Sequence, residues 1–191
     1  TSAEKSELPK CLDSVLDDSC SIDDRMMLEG VVYHGSEKIQ TNTALNDVII
    51  ARAGFSRLVE LKIYVNGELL SIYTADGIIV STPTGSTGYS LSAGGPIIFP
   101  QTDVMVITPI CPHSLQARSL VVSGEDRIMI EIGRRRKTQK EEAMVTFDGR
   151  SAQELETGDR IEIYKAQETT QLIRLKGRSF YQVLQNKIGT A

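Results

Sequence analysis

Hydrophobic positions along most of this chain recur at every second residue. Val59, Leu61, Ile63 and Val65 alternate with Glu60, Lys62 and Tyr64, the period of a strand with one covered face. Asn66-Gly67 follows, a strong hairpin signal, and Glu68 to Tyr73 predicts the returning strand. Arg127-Ile-Met-Ile-Glu-Ile and Arg160-Ile-Glu-Ile-Tyr-Lys alternate in the same way. Met27 to Tyr33, Leu45 to Ala51, Val104 to Thr108, Ala143 to Phe147 and Gln171 to Leu175 read as further short strands, and Ile78-Ile79-Val80 as a short buried one. Turns are predicted at His34-Gly-Ser-Glu, Asp76-Gly77, Asp148-Gly149 and Gly158-Asp159. Gly133-Arg-Arg-Arg-Lys137 reads as a solvated hairpin tip, with a phosphate contact as the alternative.

The period changes only at the ends. Leu8, Cys11, Leu12, Val15 and Leu16 fall at helical spacing, which predicts a helix within residues 3–17, with Pro9 in its first turn or before it. Ser179 to Lys187 reads as a second helix, with Phe180, Val183 and Leu184 on one side. Many short strands separated by glycine turns indicate a mainly β fold, a multi-stranded β-sandwich-like domain with short helices at the N- and C-terminal ends. The boundaries are residues 1–24, a helical segment; 25–176, the β domain; and 177–191, a helical tail.

Composition narrows the function classes. A net charge of −4 on 191 residues argues against a nucleic-acid binder that works by charge. No apolar run reaches membrane-spanning length and no signal peptide is expected. The cysteines are Cys11, Cys20 and Cys111, an odd number at spacings that fit no common zinc pattern. Reduced thiols in a cytoplasmic protein are the expectation. The two histidines, His34 and His113, are too few for a His-based metal site, and His34 reads as a turn residue.

The chemistry concentrates in Asp76 to Pro100. No charged residue lies between Asp76 and Asp103, while hydroxyls recur at Thr84, Ser86, Thr87, Tyr89, Ser90 and Ser92 and glycines at 85, 88, 94 and 95. Such a loop offers hydrogen-bond donors and acceptors and lets a ligand approach the backbone closely. Ser86 to Ala93 can form one or two helical turns capped by Thr84 or Ser86, with free N–H groups facing an anion. Tyr89 offers a ring on which a base can stack. The plain alternative is a Gly/Ser surface loop.

Thr82-Pro-Thr-Gly-Ser-Thr-Gly-Tyr89, followed by Ser90-Leu-Ser-Ala-Gly-Gly-Pro96, resembles the signature loop of the NAD kinase family. Ala44-Leu-Asn-Asp47 resembles that family's Asn-Glu/Asp motif, Pro112-His-Ser-Leu-Gln-Ala-Arg118 its later Pro-His segment, and Phe147-Asp-Gly149 its late Asp-Gly turn. The resemblance implies that the β domain binds NAD for phosphoryl transfer from ATP, or polyphosphate, to the 2′-hydroxyl of the adenosine ribose. Mg²⁺ or another divalent cation would act on the phosphates. It also implies a homo-oligomer, dimer or tetramer, with no nucleic-acid or membrane partner.

Carried onto matching positions, the resemblance gives Asn46 to an adenine edge and Asp47 to ribose hydroxyls. Thr84, Thr87, Gly88, Tyr89 and Ser92 would line the adenine and nicotinamide pockets. Ser81, Ser90 and Leu91 complete that loop's candidate contacts. Asp76 would meet the nicotinamide end, often from a neighbouring subunit. Arg57, Thr74, Cys111 and Arg150 are further NAD-contact candidates, and His113 could bond a phosphate. Each has a structural alternative: a turn or cap for Asn46-Asp47 and Asp76, a solvated strand residue for Arg57, a packed thiol for Cys111, a satisfied structural histidine for His113. The chain departs from the family at Asp47, often Glu, and at Gly88, usually Ala.

The family's Gly-Gly-Asp-Gly-Thr motif, whose Asp the resemblance implies as the base, does not occur; the one Gly-Gly pair is Gly94-Gly95, followed by Pro96. The expectation is a C-terminal NAD kinase domain without a catalytic residue of its own, residues 1–24 leading from an N-terminal α/β domain. A non-catalytic nucleotide-binding or assembly module, or a domain of the related diacylglycerol/sphingosine kinases, is the alternative.

Overall fold

The structure, a computed structural model, describes residues 8–17, 19–53, 58–114, 116–134, 141–174 and 179–188, with side chains 10, 11, 151, 183 and 186–188 left aside. Two compact units are present: Met26–Thr169, and Thr1–Arg25 with Thr170–Ala191.

The larger unit is built on two six-stranded antiparallel sheets. In the first, β2 (Glu37–Ala44), β1 (Ser21–His34), β12 (Arg160–Arg174), β9 (Ile128–Ile132), β4 (Val59–Val65) and β5 (Glu68–Ala75) lie side by side in that order. In the second the order is β11 (Arg150–Glu156), β10 (Glu142–Phe147), β3 (Asp47–Arg52), β6 (Gly77–Ser81), β7 (Val104–Ile110) and β8 (Leu120–Ser123). Alternation does what the sequence predicts: Leu61 and Ile63 of β4, Ile128, Ile130 and Ile132 of β9 and Ile161 and Ile163 of β12 turn inward. They meet Val48 and Ile50 of β3, Ile78 and Val80 of β6, Met105 and Ile107 of β7 and Val145 and Phe147 of β10 in one continuous core. A Cβ on Gly30 of β1 would strike the Phe147 ring, so a side chain there would push the sheets apart. The expected β-sandwich is the observed architecture.

Asn66 and Gly67 both have positive φ, 52° and 83°, the conformation a tight hairpin turn demands, and β4 pairs with β5. Several expectations are corrected. The turn expected at Asp76-Gly77 is a bend at Asp76 that joins the two sheets, since β5 belongs to the first and β6 to the second. Gly77 is needed because a Cβ would contact the Ile50 carbonyl. β9 lies in one sheet and β10 in the other; of the Gly133–Lys137 run expected as a hairpin tip, residues 135–137 lie outside the described residues. Gln171–Arg174 continues β12 rather than forming a separate strand. Leu45 and Asn46 form the bend between β2 and β3, so the third strand starts at Asp47.

In the smaller unit, α1 (Leu8–Leu16) leaves Leu8, Leu12 and Leu16 exposed. The end of β12 meets the start of β1 through Gln171 Nε2, which donates to Asp24 Oδ1 at 3.0 Å. The C-terminal helix (Phe180–Ile188) opens on a capping box: the Gln182 N–H donates to Ser179 Oγ at 3.2 Å, and the Ser179 N–H to Gln182 Oε1 at 2.9 Å. No described helix is long and apolar enough to cross a membrane.

Candidate functional site

The second sheet gathers candidate residues at the two ends of its central strands, because β3, β6 and β7 run antiparallel. Asp47 opens β3 opposite Ser81, the last residue of β6, and Ser81 in turn faces Val106 of β7. Phe147, closing β10, faces Val48. One end of this sheet therefore carries the Asn46-Asp47 bend, the loop that follows Ser81, and the Asp148-Gly149 turn.

The loop after β6 is locked onto the bend by Thr82. Its hydroxyl donates to the Leu45 carbonyl at 2.6 Å, and its N–H to the Asn46 carbonyl at 2.9 Å. Gly85 passes so close to Asn46 that a Cβ would overlap the Asn46 carbonyl. The chain then makes a 3-10 turn at Gly85–Thr87 and the short helix α2 (Tyr89–Ser92). Neither expected cap holds: Thr84 is itself helical and its side chain makes no capping bond. Thr82 Oγ1 instead accepts from the Gly85 N–H at 3.1 Å. The amides of Gly85, Ser86 and Gly88 are consumed inside the loop, so they do not face an anion as expected. Ser86 Oγ donates to the Pro83 carbonyl at 2.6 Å and accepts from the Ile98 N–H at 3.0 Å, stitching the loop's two limbs together. Ser90 pairs with Thr108 of β7, oxygen to oxygen at 3.0 Å; Gly95 packs against both hydroxyls.

Surface access sorts the loop. Tyr89 is 47% exposed; Gly88 and Ser92 are exposed as well, and Thr84, Thr87 and Leu91 are partly so. Ser81 and Ser90 are fully buried, and the Ser81 hydroxyl has no hydrogen-bond partner. Asn46 is exposed, Asp47 buried. Burial, with repulsion from Asp148, pushes the Asp47 carboxyl up to about 6. Asp148 was legible only as a turn residue, yet its carboxylate accepts the N–H groups of Leu45, Asn46 and Asp47 at 2.8, 2.8 and 3.1 Å. Arg150, just past that turn, is exposed.

Thr74, Asp76 and Cys111 lie at the opposite end of β6, where Gly77 faces Ile110 and Ala51. A five-residue strand separates the two ends by roughly 15 Å. Asp76 Oδ1 pairs with Arg52 Nε at 2.7 Å, both partly exposed. Arg52 carried no sequence signal beyond its place at the end of a strand. The Thr74 carbonyl accepts the His113 N–H at 2.9 Å, and Cys111 is exposed with φ +44°. One chain thus presents two groups of candidates, at opposite ends of one strand. Arg57 lies outside the described residues.

Among the described residues no group of three His, Cys, Asp or Glu side chains could hold a metal ion. The chemistry on offer at the Asn46-Asp47 end is that of a hydroxyl-rich surface bearing an amide, a carboxyl group and a ring.

Comparison with known proteins shows the family. Residues 45–175 match the family model for the ATP-NAD kinase C-terminal domain. The NAD kinase of Lachnoclostridium phytofermentans is 49% identical over 171 residues, covering 88% of this chain and 60% of that protein. The NAD kinase of Lachnospira eligens is 46% identical over 197 residues, 98% of this chain and 67% of that protein. The chain therefore spans about 60–67% of the length of these relatives. Among solved structures, yeast NADH kinase complexed with NADH superimposes with a TM-score of 0.90 at 29% identity, over 97% of this chain and 55% of that one. An NAD kinase from Archaeoglobus fulgidus in complex with ATP shares the fold, with a TM-score of 0.74 at 23% identity, over 94% of this chain and 65% of that one. With the Asn46-Asp47 bend and the Thr82–Ser92 loop at one sheet end, the chain belongs to the NAD kinase family and corresponds to its C-terminal domain.

Proposed function

We propose that this chain is the NAD-binding domain of an enzyme that phosphorylates the 2′-hydroxyl of the NAD adenosine ribose to give NADP. The observation that carries this reading is the locking of the Asn46-Asp47 bend onto the signature loop by Thr82 and Gly85. Two motifs far apart in sequence face one place.

In this reading the exposed Asn46 amide reads an adenine edge, since it carries a donor and an acceptor side by side. Asp47 accepts ribose hydroxyls once it has lost its proton. Tyr89 stacks on a base, and Thr84, Thr87, Gly88, Leu91, Ser92 and Arg150 surround it. Ser81 and Ser90, being buried, contribute through the backbone. Thr74, Asp76 and Cys111, with Arg57, receive the nicotinamide end of NAD bound mainly by another copy. That assignment is supported by their separation from the first group and makes the working form a homo-oligomer, dimer or tetramer.

The transferred phosphoryl comes from ATP or polyphosphate: the ribose 2′-oxygen bonds to the terminal phosphorus, the bond to the bridging oxygen breaks, and the ribose proton passes to a base. A divalent cation neutralises phosphate charge when bound, and no described residue is assigned to it. The base is placed outside this sequence, which has no Gly-Gly-Asp. Residues 1–24 then form the link to an N-terminal α/β domain, 25–176 the NAD-binding domain and 177–191 the tail, in a cytoplasmic enzyme. The exposed leucines of α1 fit a segment that another domain covers. Calorimetry of NAD on this chain and on Asn46→Ala tests the assignment; equal affinity in both removes Asn46 from the site.

A further inference from the structure

The turn between β10 and β11 does more than reverse the chain. Asp148 and Gly149 have φ of +48° and +70°, the pair a tight reversal needs, and Asn or Gly would serve the turn equally well. What the turn does not require is the course of the Asp148 carboxylate. Oδ2 accepts the Leu45 N–H at 2.8 Å, and Oδ1 accepts both the Asn46 N–H at 2.8 Å and the Asp47 N–H at 3.1 Å. The Asp148 N–H donates back to the Asp47 carbonyl at 3.0 Å. From the other side, Thr82 takes the Leu45 carbonyl through its hydroxyl and the Asn46 carbonyl through its N–H.

All three amides and all three carbonyls of the bend are therefore bonded, by two separate elements. Charge-assisted bonds of this kind are about twice as strong as neutral ones. The arrangement also has a cost: it sets a second carboxylate beside Asp47 and repels it. A neutral turn residue would avoid that repulsion and lose the clamp.

We propose, resting on the nucleotide-site reading above, that Asp148 is a positioning residue for NAD. It does not touch the ligand; it fixes the backbone from which Asn46 and Asp47 present their side chains.

The test compares the parent chain with Asp148→Asn and Asp148→Gly, both compatible with positive φ, using NAD itself as the probe. Both variants are expected to bind NAD roughly tenfold or more weakly by calorimetry, with melting temperatures that confirm folding. In Asp148→Asn the Asp47 carboxyl, followed by carbon-detected NMR, titrates at lower pH than in the parent, because the repelling charge is gone. In an Asn46→Ala background the Asp148→Asn change costs less affinity than in the parent, since part of its effect runs through Asn46; a general loosening of the fold would weaken binding equally in both. A folded Asp148→Asn with the parent's affinity overturns the positioning role and leaves the site reading intact. A parent chain that does not bind NAD overturns the site reading, and this inference with it.

Discussion

The carbonyl of Asn46 lies against Gly85 so closely that a Cβ at residue 85 would overlap the carbonyl oxygen and carbon and press on the Asn46 Cα. The obstacle is backbone on a bend bonded from two sides, not a side chain that can swing away. Gly85→Ala should therefore destabilise the fold by about 1–3 kcal/mol and weaken NAD binding as well. Urea denaturation with parallel calorimetry checks both, and a variant equal to the parent in each would mean that the bend yields easily.

Asp47 gives the stability curve a defined slope. Its carboxyl is raised from 3.8 to about 6 by burial and by Asp148. Between those values the folded chain keeps a proton that the unfolded chain has lost. Stability therefore falls as pH rises from about 4 to about 6 and is level beyond. Asp47→Asn removes this penalty, so it should melt higher than the parent near neutral pH and lose the advantage below about pH 4. Thermal scans at the two extremes read the difference, and an offset independent of pH would contradict the burial argument.

NAD affinity should carry the same titration with the opposite benefit. If Asp47 accepts ribose hydroxyls as a carboxylate, only the ionised fraction binds well. Near pH 5 that fraction is about one tenth, so the dissociation constant should be about tenfold weaker than near pH 8. Asp47→Asn should bind weakly at both pH values with little dependence between them. A parent whose affinity is flat across this range would take Asp47 out of direct contact.

Tyr89 separates binding from folding. Its ring is 47% exposed, so Tyr89→Ala should leave the melting temperature nearly unchanged. Loss of a stacked base should weaken NAD by about 1–3 kcal/mol. An unaltered dissociation constant by calorimetry would remove the ring from the site.

Legibility in the sequence followed burial. β4, β9 and the first half of β12 alternate cleanly because one face of each meets the core, and the all-buried β6 shows as Ile78-Ile79-Val80. The edge strands β2, β8 and β11 carry no such signal: Glu37-Lys-Ile-Gln-Thr-Asn-Thr-Ala44 has little to bury, and its backbone pairs on one side only. Sheet changes were equally hidden, since Gly77 looks like a turn glycine until the Ile50 carbonyl is seen beside it. At the site, residue types and their order could be read from motifs. The clamp could not, because Asp148 and Asn46 are 102 residues apart and an Asp-Gly pair already has a sufficient local explanation as a turn. The split between the Asp47 group and the Asp76 group became visible only once β6 was seen to run from one to the other.

The most direct test of the account is calorimetric titration of this chain with NAD, beside an assay for NADP formation from NAD, ATP and Mg²⁺. Saturable NAD binding is expected, weakened by Asn46→Ala and by Tyr89→Ala, with no NADP formed by the chain alone. Absence of NAD binding would contradict the assignment of the Asn46-Asp47 bend and the signature loop as a nucleotide site. NADP formation would contradict the placement of the base outside these residues and turn attention to Asp47 and Asp76.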